Sequence, residues 1–190
     1  MILRRAFVFT YPCPRKMREI VKLSLIEKEE PSEIKRIWNE YHLNRPNNVS
    51  TVITAHQYDL LLRRTKASPI FIFPLKRKAG HFVLVSQAQE KSNLLTYLED
   101  FKKNPATATP YFVLTLFDEL LAKKGIVPVR GDIVDFLIAK PEAELLLKAF
   151  LAHYIEGGLY EETVQIFNHD PNNFNHQKYV DNFFNRFSTQ

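Results

Sequence analysis

A single cysteine, Cys13, excludes an internal disulfide framework and suits a reducing compartment. The five glycines, at 80, 125, 131, 157 and 158, form neither a G-x-G-x-x-G fingerprint nor a phosphate loop, so no nucleotide cofactor is expected. No run approaches the roughly 18 to 20 apolar residues that span a bilayer, and membrane insertion is not expected. The six histidines, at 42, 56, 81, 153, 169 and 176, contain no i, i+4 pair, and one cysteine cannot build a common structural zinc site. His169 and His176 are read as surface or capping residues, and no metal is expected. Charge of one sign does not dominate either. The net charge of +5 comes from scattered pairs and triplets, Arg63-Arg64, Lys76-Arg77-Lys78, Lys102-Lys103 and Lys123-Lys124. That distribution describes a solvated, mildly basic surface more readily than a nucleic-acid stripe.

Apolar and aromatic residues are plentiful: 45% hydrophobic and 13% aromatic, with 15 Phe and 8 Tyr. Each buried aromatic removes about 150 to 250 Å² from water, so a full core is expected. The 190 residues fit one domain spanning 1–190, with 1–10 read as a flexible N-terminal tail. The basic N-terminal segment, with Arg4, Arg5, Arg15, Lys16 and Arg18 and no acid before Glu19, has a faint transit-peptide character. Its apolar stretch Ala6–Phe9 is too short for a secretory signal, which makes the Asn48-Val49-Ser50 sequon a chance match.

The stretch 110–132 organises the chain. In Tyr111–Phe117, Phe112, Leu114 and Leu116 alternate with Tyr111, Val113 and Phe117, the pattern of a strand covered on both faces. A short helix over 118–124, a stop at Gly125 and a second strand over 126–133 follow, with Pro128 pointing to an edge or a bulge. Upstream, the residues 20–26 read as a short helix. Pro31 opens a helix with Ile34, Ile37, Trp38 and Tyr41 on one stripe, ending near Leu43. Residues 49–53 form a strand, and Thr54-Ala55-His56-Gln57 is a capping box for a helix to about Lys66. A meander follows: strands over 70–73, 81–87 and 94–101, with turns through 76–80 and near Ser92-Asn93. Pro141 opens the strongest helix, closed by Gly157-Gly158. Residues 160–167 read as a strand or extended segment, and Asn175 caps a terminal helix. The order of elements predicts an α+β single domain, an antiparallel-rich sheet of about six strands with helices packed on it.

No reactive constellation emerges from these residues. Cys13 as a nucleophile needs a nearby base that the sequence does not identify, and Glu161-Glu162 on extended chain would face opposite ways. Trp38 belongs to an apolar helical stripe and reads as core. Phe71, Phe73, Phe82 and Phe112 lie among apolar neighbours and also read as core, although strand aromatics are what an RNA-binding α+β domain would use. A protein with a full core and no catalytic or cofactor motif acts through its surface, and no enzyme activity is expected. The open alternatives are RNA binding and a small hydrolase with a pocket joining Cys13 to a histidine. Arg130 and Asp132, with Phe167, Asn168 and His169, combine polar groups and an aromatic near strand ends, either as a partner-binding region or as turn-securing residues.

Several segments, in order, carry a family resemblance: Tyr11-Pro12-Cys13-Pro14-Arg15, Ile20-Val21-Lys22-Leu23, Glu33-Ile34 with Ile37-Trp38 and Tyr41-His42, and Ser68-Pro69 with Phe71 and Pro74-Leu75. Further on stand Lys124-Gly125-Ile126-Val127 with Arg130-Gly131-Asp132, and Phe167-Asn168-His169 with Pro171 and Phe174. Together they resemble the mitochondrial assembly factors that chaperone the free beta subunit of the catalytic sector of the F-type ATP synthase. The resemblance implies a protein of the mitochondrial matrix without enzyme activity, with the family's transit peptide missing or trimmed here; the lack of ligand spacings and phosphate loops adds the expectation of a monomer that needs neither metal nor nucleotide. It would hold the unassembled beta subunit until the alpha subunit displaces it, and would bind no nucleic acid. Pro128 departs from the large apolar residue expected between Val127 and Val129, which bears on the pairing of that strand.

Overall fold

The computed structural model describes residues 16–187; Cys13, the Tyr11–Arg15 segment and the 1–10 tail lie outside the described residues. The chain enters through a short turn and α1 (Leu23–Ile26), then α2 (Pro31–Leu43), β1 (Asn48–Thr54) and α3 (Ala55–Ala67). A meander of β2 (Ile70–Arg77), β3 (Gly80–Gln89) and β4 (Ser92–Tyr97) leads through α4 (Leu98–Lys103) to β5 (Pro110–Leu116), α5 (Leu121–Lys124) and β6 (Ile126–Ile133). The remaining elements are α6 (Lys140–Ile155), α7 (Gly157–Leu159), α8 (Ile166–His169) and α9 (His176–Phe187). The six strands form one antiparallel sheet in the order β1-β6-β5-β4-β3-β2, which bears out the α+β class and the six-stranded sheet.

Local chemistry accounts for most boundaries. Pro31 occupies the first turn of α2, where its missing donor has no role. The Thr54 hydroxyl accepts from Gln57 N at 3.2 Å and the Gln57 side chain accepts from Thr54 N at 2.9 Å, so the capping box starts α3 as expected. Such a cap contributes about 1 kcal/mol. Gly125, at φ 67°, closes α5 in the left-handed region. The Asn175 side chain accepts from Lys178 N at 2.9 Å at the start of α9.

Four expectations need correction. The hairpin turn between β3 and β4 falls on Glu90, at φ 47°, and Lys91, whereas Ser92 and Asn93 are buried residues of β4. The strand expected over 94–101 ends at Tyr97, and Leu98–Lys103 is helical, with Glu99 and Asp100 in its first turn and Lys102 and Lys103 in its last, a charge order that suits the helix dipole. Residues 157–169 are helical throughout, with a wide turn at Tyr160–Gln165; it points both Tyr160 and Val164 into the core, which alternation over a short apolar run could not distinguish from a strand. Glu161 and Glu162 are therefore exposed neighbours on a helix. Finally, β6 is an interior strand. The Pro128 carbonyl accepts from Phe117 N at 2.9 Å, and the chain then leaves the sheet into Asp118–Leu120, so the absent proline donor falls where the ladder ends.

One face of the sheet, carrying Val49, Ile53, Leu84, Leu95, Phe112, Leu114, Val127 and Val129, packs beneath α3, α6 and α9 in the main core. Val52 of β1 points the other way, into a smaller cluster built on Ile34 and Trp38 of α2 with Phe117, Leu120, Met17 and Ile26. Trp38 is fully buried, and its indole Nε1 donates to Val129 O at 3.1 Å. Phe71, Phe73 and Phe112 are likewise fully buried, which removes three of the four aromatics an RNA platform would need.

His153 of α6 sits inside the main core at 1% exposure among Phe71, Phe73, Tyr179, Phe183 and Phe187, and its Nδ1 donates to Ala149 O at 2.7 Å. Burial pushes its pKa down from 6.5 to about 4. The folded state resists protonation that the unfolded state accepts, so the stability this group confers is complete above pH 6.5 and is lost as pH falls toward 4. Converted at about 1.4 kcal/mol per unit, the loss is on the order of 3 kcal/mol. Urea midpoints measured from pH 7 to pH 4 should fall, and His153→Phe should flatten the dependence; an unchanged profile in that variant would refute this assignment.

Candidate protein-binding surface

Large apolar side chains that face solvent are few among the described residues: Leu25, Leu43, Ile70, Phe136 and Leu137. Phe136 is 91% exposed and Leu137 60%, on the turn that joins β6 to α6. The turn is rigidly built. Val134 N and Asp135 N donate to Tyr111 O at 2.9 and 3.2 Å, the Asp135 carboxylate accepts from Leu137 N at 2.8 Å, and Ile138 is buried directly behind. Arg77 donates to Leu137 O at 2.9 Å and pairs with Glu142, which in turn accepts from Ala139 N at 2.9 Å. An aromatic side chain is thus displayed to water by a framework that fixes its backbone, so a partner that covers it need order only the side chain.

Lys140, three residues on, links this tip to α2. Its ammonium donates to the carbonyls of Leu43 at 2.5 Å and His42 at 3.3 Å in the last turn of α2, and of Arg45 at 2.9 Å just beyond it, where a cation suits the helix dipole. Leu43, 66% exposed, therefore lies at the same end of α6 as Phe136 and Leu137. Beside Lys140 opens a groove of about 510 Å³ between α2 and α6, with Val49 and Thr51 of β1 along its base and Leu43, Leu147 and Leu151 among its walls. A second hollow of about 410 Å³ shares Lys148 and Leu151 and continues along α6 toward Phe187.

His42 lines the groove while being only 1% exposed. Its Nδ1 donates to Trp38 O at 2.7 Å, which leaves Nε2 as a buried acceptor without a partner among the described residues. Burial lowers its pKa, and the charges of Arg130 and Arg45 act in the same direction, so the ring is neutral near pH 7. No group of three or more His, Cys, Asp or Glu suited to a metal ion occurs among the described residues.

The residues singled out in the sequence fall into two places. Arg130 and Asp132 form an ion pair on β6, Nη2 to Oδ1 at 2.5 Å, within electrostatic reach of His42 and so next to the groove. Phe167, Asn168 and His169 lie at the opposite edge of the sheet: Phe167 packs on Phe71 and Phe174, the Asn168 amide bonds the backbone of Ile70, and His169 Nε2 meets Ser68 Oγ at 3.1 Å. The two groups do not converge on one site. Phe136 and Leu137 escaped sequence reading because a Phe-Leu-Ile run has the signature of core; the informative residue was Asp135, whose side chain closes the turn that turns Phe136 outward.

Residues 11–180 match the sequence profile of the ATP11 protein family. Over 164 residues the chain is 24% identical to the ATP synthase mitochondrial F1 complex assembly factor 1 of Danio rerio, covering 85% of this chain and 53% of that protein. Over 144 residues it is 24% identical to Protein atp11, mitochondrial, of Schizosaccharomyces pombe (strain 972 / ATCC 24843), covering 73% of this chain and 50% of that protein. The chain spans about half the length of these curated relatives.

Proposed function

Because the chain belongs to the ATP11 protein family, we propose that it is a non-catalytic assembly factor of the mitochondrial F1 ATP synthase, acting in the matrix on the unassembled beta subunit. The observation that carries this reading is the rigid turn that holds Phe136 at 91% exposure next to Leu137, with the exposed Leu43 bound through its carbonyl to Lys140 at the same end of α6. Burying each such side chain against a partner is worth about 1.5 to 3 kcal/mol, so a tip of this kind binds apolar protein surface. The name of the Danio rerio relative supports the F1 complex as the source of that surface.

The mechanism is covering and exchange. A free subunit of an obligate complex exposes a large apolar interface and aggregates through it. A chaperone that covers part of the interface slows aggregation without ATP, provided its contacts are less extensive than the final ones. The alpha subunit then displaces it by higher affinity. Arg130 and Asp132, beside the groove, are proposed to belong to the contact region, and Phe167, Asn168 and His169 to extend it at the other edge. Light scattering of free beta subunit should fall when this protein is added at near-stoichiometric amounts, and addition of alpha should release it. Undiminished scattering would refute the chaperone role, and a stable ternary complex would refute displacement.

A further inference from the structure

The sheet has two edges, and they are treated differently. In β2, Ala88 N donates to Pro69 O, which fixes the alternation: residues 69, 71, 73 and 75 bond β3, and 70, 72, 74 and 76 face outward. Every outward position is closed or blunted. The Asn168 amide accepts from Ile70 N at 3.3 Å and donates to Ile70 O at 2.6 Å, and the Tyr179 hydroxyl donates to Ile72 O at 2.7 Å. Position 74 is a proline with no N–H, and position 76 is a lysine. These are the devices by which sheet edges are protected from pairing with another chain.

Edge β1 is closed in this way only at its last residue, Thr54. In β1 the alternation is set by Pro128: its carbonyl faces β5, so its partner Val52 lies at a position where β1 and β6 exchange no bonds. The N–H and C=O groups of Val52 and Ser50 consequently point out of the sheet, and the outward Thr54 N–H is the one taken by Gln57. No group among the described residues bonds the outward backbone groups of Ser50 or Val52. The strand itself, Asn-Val-Ser-Thr-Val-Ile-Thr, carries no charge, proline or glycine and is rich in β-branched residues. Its free edge opens into the groove between α2 and α6, whose charged lining is Lys140, Glu144 and Lys148, none of them in an ion pair among the described residues.

We propose that the open edge of β1 takes an extended segment of the client polypeptide as a seventh strand, with apolar side chains on Leu147 and Leu151 and an acidic side chain against Lys148. Donors and acceptors repeating every second residue along a groove match an extended polypeptide backbone, and side-chain pockets on alternate positions supply selectivity. Lys140 and Lys148 together outweigh Glu144 along the groove, and Lys148 is the lysine whose ammonium is not held by carbonyls among the described residues, so it is the cation that an acidic side chain of the client would meet. The inference rests on the reading that this protein holds an unassembled subunit, and it names the mode of contact.

The test uses the protein with free F1 beta subunit as the probe. Ser50→Pro removes one outward N–H and leaves the β1–β6 ladder whole, since proline is tolerated where its missing donor faces solvent. It should weaken the complex about tenfold or more with little change in melting temperature, while Ser50→Ala binds as wild type and Lys148→Glu loses affinity several-fold. Hydrogen exchange of the wild-type protein should show the Ser50 and Val52 amides exchanging fast alone and protected in the complex, a readout that stands even if the proline variant misfolds. A wild-type complex in which these amides stay unprotected overturns strand addition and leaves the proposed function intact. Protection in the protein alone also overturns it: if dependent on concentration, a second copy occupies the edge, and if independent, the chain's own residues do. Absence of any wild-type complex overturns the proposed function and this docking mode together.

Discussion

Gly131→Ala is expected to lower stability by about 3 kcal/mol, with Gly131→Val preventing folding. Gly131 lies in β6 opposite Leu114, and the ring of Phe112 lies across it from β5. A Cβ there would meet Phe112 Cζ, stand 2.7 Å from Phe112 Cε2 and 2.9 Å from Val49 Cγ2. Neither neighbour has room to yield, since Phe112 is fully buried under α6 and Val49 is 3% exposed. The glycine is therefore required by close approach and not by a left-handed backbone. For a chain of this size the loss corresponds to a fall of roughly 6 to 12 °C in Tm. Phe112→Leu in the alanine background should recover part of it by clearing the ring; a Gly131→Ala variant that melts with the wild type would show that the sheet flexes there.

Trp38→Ala is expected to cost about 3 to 5 kcal/mol, the range for truncating a buried aromatic. Trp38 is the centre of the smaller cluster, in edge contact with Phe117 and 4.4 Å between ring centroids from His42, and it ties α2 to β6 through Val129 O. Trp38→Phe keeps most of the packing and forfeits the hydrogen bond, so it should lose about 1 kcal/mol for the bond plus the smaller cost of the cavity the Phe ring leaves. Denaturation midpoints separate the two contributions. If Trp38→Ala kept its midpoint and lost the client, the residue would be a binding anchor and its assignment to the core would be wrong.

Much of the fold was legible because its signals are local. The apolar stripe of α2, the capping box at Thr54, the glycine stop at Gly125 and the tight spacing of the meander each act within a few residues. What failed were segments in which composition misleads. Ser92-Asn93 has turn chemistry, yet a two-residue hairpin closes two residues earlier on Glu90-Lys91 and places both in the sheet. Tyr160 to Phe167 is too short for periodicity to separate strand from helix, and tertiary packing of Tyr160 and Val164 decides. Pro128 suggested an edge because its neighbour was unknown; only the pairing shows that its blank side falls where β5 departs.

The candidate surface was less legible than the fold because it depends on strand order. Nothing in the sequence of β1 says that it is an edge; that follows from β6 inserting between β1 and β5. The protection of β2 depends on Asn168 and Tyr179, about a hundred residues away in the chain. Exposure of Phe136 depends on a turn anchored to Tyr111, again in another strand. Surface function is a property of what remains uncovered, and a chain read in order does not show what covers what.

That this chain works by holding apolar surface of an unassembled subunit is tested most directly by the light-scattering trace of free F1 beta subunit with wild-type protein and with the double variant Phe136→Asp, Leu137→Asp. Both residues are exposed, so the variant should fold with an unchanged Tm. Wild-type protein is predicted to suppress scattering at near-stoichiometric amounts, and the variant to lose most of that effect. Equal suppression by the two proteins, or none by either, would contradict the account.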